Sequence, residues 1–248
     1  MAGQRSFRAL LQSLQHGLKG FQESQATFKI LASVDFTLQP TTTVNVEEVP
    51  RTLFVLDSSF NPPSIAHQSL VETALHASEA YAKPHRLLLL FSTMNADKAP
   101  SAASFDQRLT MMAIFASDLL GKLKQDGASV VPIDIGVTTA PYYTDKSIAI
   151  EQKGPYGQSK HVHLIGYDTL TRVFAAKYYS KFNPPFSALD PYFNSGHEFR
   201  ATLRPDEDGN VDEQKDFLSK LECGALEDDG GKPMSTFYST MGAGREAV

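Results

Sequence analysis

Apolar residues along the middle of the chain follow two different spacings. Four short, nearly continuous apolar runs are typical of strands buried on both faces, as in a parallel sheet. These runs are TLFVLD (52–57), HRLLLLFS (85–92), SVVPIDIG (129–136) and HVHLIGYD (161–168). Between them, apolar residues recur at helical spacing. The helix faces comprise Leu70, Val71, Ala74 and Leu75; Phe105, Leu109, Met112, Ala116, Leu119 and Leu123; residues 144–152; and Leu170, Val173 and Phe174.

This alternation of strands and helices predicts the fold class. Consecutive parallel strands joined by helices form right-handed βαβ units, which build an open sheet with helices on both faces. We therefore expect an α/β fold with a doubly wound, mostly parallel open sheet. After this region, EFRATLRP (198–205) predicts another strand and residues 211–221 predict another helix.

The N-terminal 50 residues have a different pattern. Residues 1–22 contain basic residues but no acidic ones, and their apolar residues recur at helical spacing. We interpret them as an amphipathic helix that packs on the main domain and continues past Glu23 through Phe28, Ile30 and Leu31. A mitochondrial transit helix is the alternative. Residues 35–50 resemble a connector, so we expect an N-terminal helical extension and connector (1–50) followed by one domain (51–248).

The segment at 178–197, YYSKFNPPFSALDPYFNSGH, is aromatic and rich in proline. Its length and composition favour a functional loop or lid over a scaffold element. We expect its tyrosines and phenylalanines (178–193) to pack in the core or the loop, the alternative being a platform on which bases stack.

Charge and composition exclude several classes of protein. The formal net charge is -5, from 23 basic and 28 acidic residues, which argues against a broad basic surface for nucleic acid. No apolar stretch approaches the roughly 20 residues needed to span a bilayer, so we do not expect an integral membrane protein. The single Cys223 excludes an internal disulfide and fits a reducing compartment. We expect a cytoplasmic or nuclear protein, or a mitochondrial one if the N-terminal helix is a transit signal. The oligomeric state stays open, a homo-oligomer being one possibility.

The junction after the first predicted strand, LDSSFNPPSIAHQSL (56–70), carries the clearest candidate chemistry. Pro62 and Pro63 delay the following helix, which makes Ser64 a suitable N-cap and places His67 in the first helical turn. A helix N-terminus attracts anions through its unpaired N–H groups and partial positive charge. An ordinary strand-to-helix loop with an exposed histidine is the alternative reading.

This junction resembles a known signature. SSFNPPSIAH is similar to the G-S-F-N-P…[HT]-x-G-H pattern of a nucleotidyltransferase superfamily, and most similar to its nicotinamide/nicotinate mononucleotide adenylyltransferases. Four later segments resemble the family in the expected order: TMNADKAPSAASFDQRLTMM, HLIGYDTLTRVF, FRATLRP and YSTMGAGREAV. The chain departs from the signature at Ser58 and Ala66, which replace glycines, and at Ser64, which replaces His or Thr. The resemblance is to a divergent member of fungal type.

The resemblance implies a Rossmann-like nucleotidyltransferase fold and adenylyl transfer from ATP to nicotinamide or nicotinate mononucleotide, giving NAD or its deamido form and pyrophosphate. It implies that Mg²⁺ bridges the phosphates, and because magnesium takes few protein ligands we assign no metal-ligating residue. It assigns catalytic roles to His67, Lys98 and Arg245. It assigns ATP phosphates to Ser59, Phe60, Ser64, Ser239 and Thr240. It assigns the mononucleotide to Asn61, Thr93, Arg108, Gly166, Asp168 and Arg204.

Four alternatives stay open at this point. The chain could be another nucleotidyltransferase, using CTP or a phosphopantetheine-type acceptor, or a non-catalytic relative that binds nucleotides without turnover. Asp168 could instead cap a helix that begins near Leu170. His161, His163 and His197 could hold a metal, but spacing defines no complete ligand set, and we favour core or strand-edge histidines.

Overall fold

In the computed structural model, the described residues are 2–42, 44, 46–94, 103–128, 130–205 and 210–223. The chain divides into two compact units, Met1–Ser159 and Lys160–Val248. The helices of the described residues are α1 (Ala2–Gln22), α2 (Ile65–His76), α3 (Phe105–Gln125), α4 (Tyr143–Lys153), α5 (Tyr167–Val173), α6 (Asp190–Asn194) and α7 (Asp212–Glu222). The strands are β1 (Phe28–Val34), β2 (Pro40–Thr41), β3 (Thr52–Asp57), β4 (His85–Ser92), β5 (Ile133–Thr138), β6 (Lys160–Gly166) and β7 (Glu198–Thr202).

The strands of the first unit lie in the order β2-β1-β5-β4-β3. Strands β3, β4 and β5 are parallel, with Leu56 opposite Leu89 and Leu89 opposite Ile135. Their side chains are buried on both faces because helices cover the sheet, as their continuous apolar runs predict. The predicted α/β class, the mostly parallel open sheet and the N-terminal helix are confirmed.

The N-terminal region contributes to the sheet as well as to the helical layer. Helix α1 buries Leu14, Leu18 and Phe21 and packs against α3 and β1. The predicted continuation of this helix through Leu31 is wrong, because α1 ends at Gln22 and β1 pairs antiparallel with β5. Apolar residues at 28, 30 and 31 fit either a helix or a strand, and the free edge of β5 favours the strand. The domain boundary after residue 50 stays a prediction.

A buried ionic network joins the beginnings of β4 and β5. Asp134 is fully buried, and its carboxylate accepts hydrogen bonds from Arg86 at 2.5 and 2.7 Å. It also accepts one from the Tyr156 hydroxyl at 2.6 Å and one from the Ser33 hydroxyl. Burial and the Asp134 charge raise the pKa of Tyr156 well above its ordinary value. The charge of Asp134 is thus fully partnered, as a buried charge requires.

In the second unit, β6 and β7 are parallel, with Leu164 opposite Arg200. Helices α5 and α7 fall where helical spacing predicts them. The segment at 178–197 forms short helical turns and α6, and Tyr179, Phe186 and Tyr192 are buried in it. Most of its aromatic residues therefore pack in the core, as expected, although Phe182 is exposed. A role of the segment as a functional loop or lid stays a prediction. Among the described residues, no helix is long and apolar enough to cross a membrane.

Candidate functional site

The first half of the predicted site lies at the carboxyl edge of the parallel strands in the first unit. Strand β3 ends at Asp57 and strand β4 ends at Ser92. The Ser58 amide donates to the carbonyl of Leu90 at 3.1 Å, and the Thr93 amide donates to that of Thr138 at 2.9 Å. These bonds extend the sheet past the ends of both strands. Ser58 and Thr93 therefore lie at the same edge, where ligands bind in open α/β sheets.

The start of α2 has the predicted geometry. Ser64 is the N-cap in an extended conformation, and His67 is the third helical residue. The two residues form a capping box in which the imidazole replaces the usual Glu or Gln: the Ser64 amide donates to Nδ1 of His67 at 2.9 Å. The Ser64 hydroxyl lies 2.8 Å from the same nitrogen. On the other side of the ring, Nε2 lies 2.7 Å from the Ser58 hydroxyl.

These contacts determine where the proton of His67 lies. An amide N–H can only donate, so Nδ1 must accept and carries no proton in the neutral ring. The proton is then on Nε2, which donates to Ser58. Burial lowers the pKa of His67, which favours this neutral form at physiological pH.

The assigned tautomer excludes one kind of chemistry and favours another. A histidine that activates a serine nucleophile must accept the hydroxyl proton at Nε2, usually while Nδ1 donates to a carboxylate. In this chain Nδ1 is filled by donors and Nε2 is itself a donor. His67 and Ser58 therefore do not form a nucleophilic pair. They form a group of hydrogen-bond donors beside a helix N-terminus, which suits an anion.

Phe60 fixes the loop between β3 and α2. It is fully buried, and its ring lies 5.2 Å from that of His67. Its φ of 44° is in the left-handed region, which residues other than glycine seldom adopt. Such strain persists only where the surrounding packing imposes it. Ser59 is half-buried and Asn61 is exposed in the same loop.

A buried ion pair that the sequence pattern did not predict also lies at this edge. Lys146 of α4 donates to the carboxylate of Asp57 at 2.5 Å, and both side chains are almost completely buried. A signal existed, because Lys146 shares the apolar face of α4 with Ala149 and Ile150. A lysine at a buried helical position must have an ionic partner. The pair holds the end of β3 directly before Ser58.

Arg108 is buried, unlike an arginine that is exposed at the surface to bind a ligand. Its side chain is buried, its Nε donates to the carbonyl of Ala103 at 3.1 Å, and its guanidinium lies over the rings of Phe91 and Phe105 at 5.5 and 5.6 Å. Burial lowers its pKa. The structure gives Arg108 a packing role, and its contact with the mononucleotide stays a prediction.

The predicted residues of the second unit lie at the carboxyl edge of β6 and β7. Gly166 ends β6 and is the N-cap of α5, and Asp168 is exposed in the first turn of that helix. The cap predicted for a helix beginning near Leu170 is wrong, because α5 begins at Tyr167. Arg204 follows β7 with an exposed side chain, and its amide donates to Gln214 at 3.0 Å. These roles stay predictions, as do those of Lys98, Ser239, Thr240 and Arg245, which lie outside the described residues.

Three buried histidines lie together in the second unit. The rings of His161 and His197 stack at 4.1 Å with their planes 6° apart. Nδ1 of His163 contacts the Tyr192 hydroxyl at 2.9 Å. Burial and the neighbouring His197 lower the pKa of His161 to about 3, and burial and Lys160 lower that of His197 to about 4. Within the part of the chain that the structure describes, no group of three or more His, Cys, Asp or Glu residues could hold a metal ion.

A cavity of about 590 Å³ lies elsewhere in the first unit. It is lined by residues at the amino-terminal end of β4, including His85 and Arg86, together with Lys83, Glu47 and Glu48. Parallel strands begin at this edge of the sheet and end at the other, so the cavity is not part of the predicted site.

Comparison with known proteins identifies one relevant similarity. No family model matches the chain. The chain is 31% identical over 181 residues to a protein of Schizosaccharomyces pombe described as "Putative nicotinamide mononucleotide adenylyltransferase". The aligned region covers 73% of this chain, and the chain spans 65% of the length of that curated relative.

Proposed function

We propose that the chain is a nucleotidyltransferase of the nicotinamide mononucleotide adenylyltransferase family. In the proposed reaction, a phosphate oxygen of nicotinamide or nicotinate mononucleotide attacks the α-phosphorus of ATP. The bond between the α-phosphorus and the bridging oxygen breaks, and pyrophosphate leaves with the electron pair. The attacking phosphate is already largely ionised at neutral pH, with a second pKa of about 6, so no general base is required.

The observation that carries this proposal is the arrangement at the start of α2. His67 has its Nδ1 filled by donors from Ser64 and its Nε2 proton directed to the carboxyl edge of the sheet. The helix N-terminus adds a partial positive charge at the same place. The similarity to the S. pombe protein supports the same family.

In this proposal, the residues of the first unit hold the triphosphate. The amides of Ser59 and Phe60 supply hydrogen bonds, and His67, oriented by the N-cap Ser64, directs its Nε2 proton to Ser58 in the same loop. Asn61, Thr93 and Arg108 are assigned to the mononucleotide. The contribution to catalysis is positioning and charge neutralisation, because the reaction needs no covalent intermediate.

The remaining roles rest on the sequence resemblance. Lys98 and Arg245 would offset the charge of the leaving pyrophosphate, and Ser239 and Thr240 would bind ATP phosphates. Gly166, Asp168 and Arg204 would bind the mononucleotide. Mg²⁺ would be held mainly by phosphate oxygens and water, because this ion keeps several waters and takes few protein ligands. When bound, the ion would supply charge neutralisation on the phosphates.

A pyrophosphate-release panel tests the proposal. ATP or CTP is combined in turn with nicotinamide mononucleotide, nicotinate mononucleotide and phosphopantetheine in the presence of Mg²⁺. We expect turnover with ATP and a pyridine mononucleotide, and NAD or its deamido form as the second product. Turnover with CTP or phosphopantetheine would identify a different nucleotidyltransferase. Binding of ATP without turnover in any combination would identify a non-catalytic relative.

A matched pair of variants assigns the activity to this chain. His67→Ala removes the imidazole at the start of α2. His76→Ala removes an exposed imidazole at the other end of the same helix. Activity that is lost in the first variant and kept in the second does not come from a contaminating enzyme.

A further inference from the structure

Ser58 lies beside the imidazole of His67 at the carboxyl end of β3. Its hydroxyl oxygen is 2.7 Å from Nε2 of His67, and its amide is held by the carbonyl of Leu90 at 3.1 Å. The side chain is half-buried. The sequence resemblance assigns no role to this residue.

The direction of each hydrogen bond in this group follows from one fixed donor. The Ser64 amide donates to Nδ1 of His67, so the ring proton is on Nε2 and points to Ser58. The Ser58 oxygen therefore accepts from His67. Its own proton must point elsewhere, and no acceptor for it is present among the described residues.

An anion bound by Ser58 would be separated from the imidazole by one hydroxyl group. The Nε2 proton is already used by Ser58, whereas the Ser58 proton has no acceptor within the described part of the chain. A hydroxyl that accepts one hydrogen bond becomes a better donor, because bonds in a chain polarise one another. A donor of this kind, at the edge where the sheet meets the N-terminus of α2, suits a phosphate oxygen.

We propose that Ser58 makes the direct hydrogen bond to a phosphate group of the bound nucleotide, with His67 and Ser64 as positioning residues that orient its hydroxyl. This inference rests on the proposed function and identifies which side chain in that site contacts the anion. The relay runs from Ser64 to His67, from His67 to Ser58, and from Ser58 to the phosphate.

Binding of inorganic tripolyphosphate to the full chain tests the relay by calorimetry. The variants are Ser58→Ala, His67→Ala and the double variant. We expect each single variant to weaken binding about tenfold, as for loss of one hydrogen bond to a charged group. We expect the double variant to bind no more weakly than His67→Ala, because both changes interrupt the same chain of bonds.

Two further variants distinguish a role of His67 in orienting the Ser58 hydroxyl from a general loss of structure. His67→Gln retains a side-chain N–H that can donate to Ser58, and we expect it to recover part of the affinity that His67→Ala loses. Ser69→Ala changes an exposed serine of α2, and we expect it to bind like the parent chain. Circular dichroism and thermal melting of each variant check that the fold is retained.

The possible failures are distinct. If the parent chain binds tripolyphosphate but Ser58→Ala binds equally well or more tightly, His67 contacts the anion itself and the relay is wrong. If the two single variants show additive losses, the residues contact the anion independently, and the relay is again wrong. If the parent chain does not bind tripolyphosphate, the phosphate site of the proposed function fails, and this inference fails with it.

Discussion

His67 is half-buried at the start of α2, whereas His161 and His197 are buried in the second unit with their rings stacked at 4.1 Å. Burial lowers the pKa of all three imidazoles, so all three are neutral at physiological pH. Their hydrogen bonds differ. His67 has contacts at both ring nitrogens, while neither ring nitrogen of His161 has a hydrogen-bond partner within the described residues.

This difference separates a histidine suited to binding from one that packs. Fixed donors on one side of His67 define its tautomer and direct its remaining proton to the half-buried hydroxyl of Ser58. His161 offers its nitrogens to no ligand, because it is enclosed by the core of the second unit. A lowered pKa alone would not distinguish the two residues, since desolvation produces it in both.

The largest effect that we expect concerns the buried histidines His161 and His197. In the unfolded chain, His161 and His197 would bind protons below about pH 6.5. In the folded chain their pKa values are about 3 and about 4, so unfolding takes up protons between these limits. The contribution of these two histidines to the free energy of unfolding is therefore complete above about pH 6.5 and is lost as the pH falls. At about pH 5 the free energy of unfolding should be roughly 4 kcal/mol lower than at neutral pH because of these two residues.

Urea unfolding at about pH 7.5 and about pH 5 measures this loss. His161→Phe combined with His197→Phe should remove most of the pH dependence, because the aromatic rings remain but the ionisable nitrogens do not. His76→Gln, which changes an exposed histidine, serves as the control. An unchanged pH dependence in the double variant would show that other groups cause the acid sensitivity and that burial does not lower the pKa values of His161 and His197.

The second effect concerns His67. We expect His67→Ala to lower kcat for pyrophosphate release by at least about a hundredfold with the fold intact, because His67 orients a donor that stabilises developing charge. Steady-state kinetics and thermal melting measure the two quantities separately. Activity within a few fold of the parent chain would mean that His67 only caps α2, like any helix-start residue, and would remove the phosphate site from this edge.

A smaller effect is expected at Lys98, which tests a second predicted phosphate-binding residue beside His67. The sequence resemblance places this lysine on a phosphate, so Lys98→Ala should raise KM for ATP or lower kcat by roughly tenfold, as for loss of one charged hydrogen bond. The melting temperature should stay nearly unchanged. Lys124→Ala, which removes an exposed lysine of α3, is the matched control. A large drop in melting temperature without ligand would instead assign Lys98 to the structure of the fold.

The smallest effect is expected at Asp168. Asp168→Asn should weaken use of the mononucleotide more than binding of ATP, because a carboxylate accepts hydrogen bonds from a ribose or an amide. Stability should fall by no more than about 1 kcal/mol, since the residue lies in the first turn of α5 and loses only a favourable interaction with the helix dipole.

Separate titrations with each substrate test this expectation. Asp212→Asn makes the same change in the exposed first turn of α7 and controls for the helix-dipole effect. Small and equal changes for both substrates would assign Asp168 to the helix start alone.

Much of the fold follows from short stretches of sequence. The bounds of β3 and β4 are those of the apolar runs at 52–57 and 85–92, because a strand buried on both faces requires continuous apolar residues. The start of α2 follows from Ser64 and the two prolines before it. The contacts of His67 with Ser58 and Ser64 also join residues close in sequence, nine and three positions apart.

Other features depend on residues far apart in the chain. Residues 28–34 form a strand because the edge of β5 is free to pair with them, which their own spacing does not indicate. Lys146 and Asp57 are 89 positions apart, and His161 and His197 are 36 positions apart. The sequence by itself determined the periodic elements and the local capping geometry, because these depend on neighbouring residues. Tertiary structure alone decided which charges pair and which histidines lose water, because burial and ion pairing depend on how distant segments pack together.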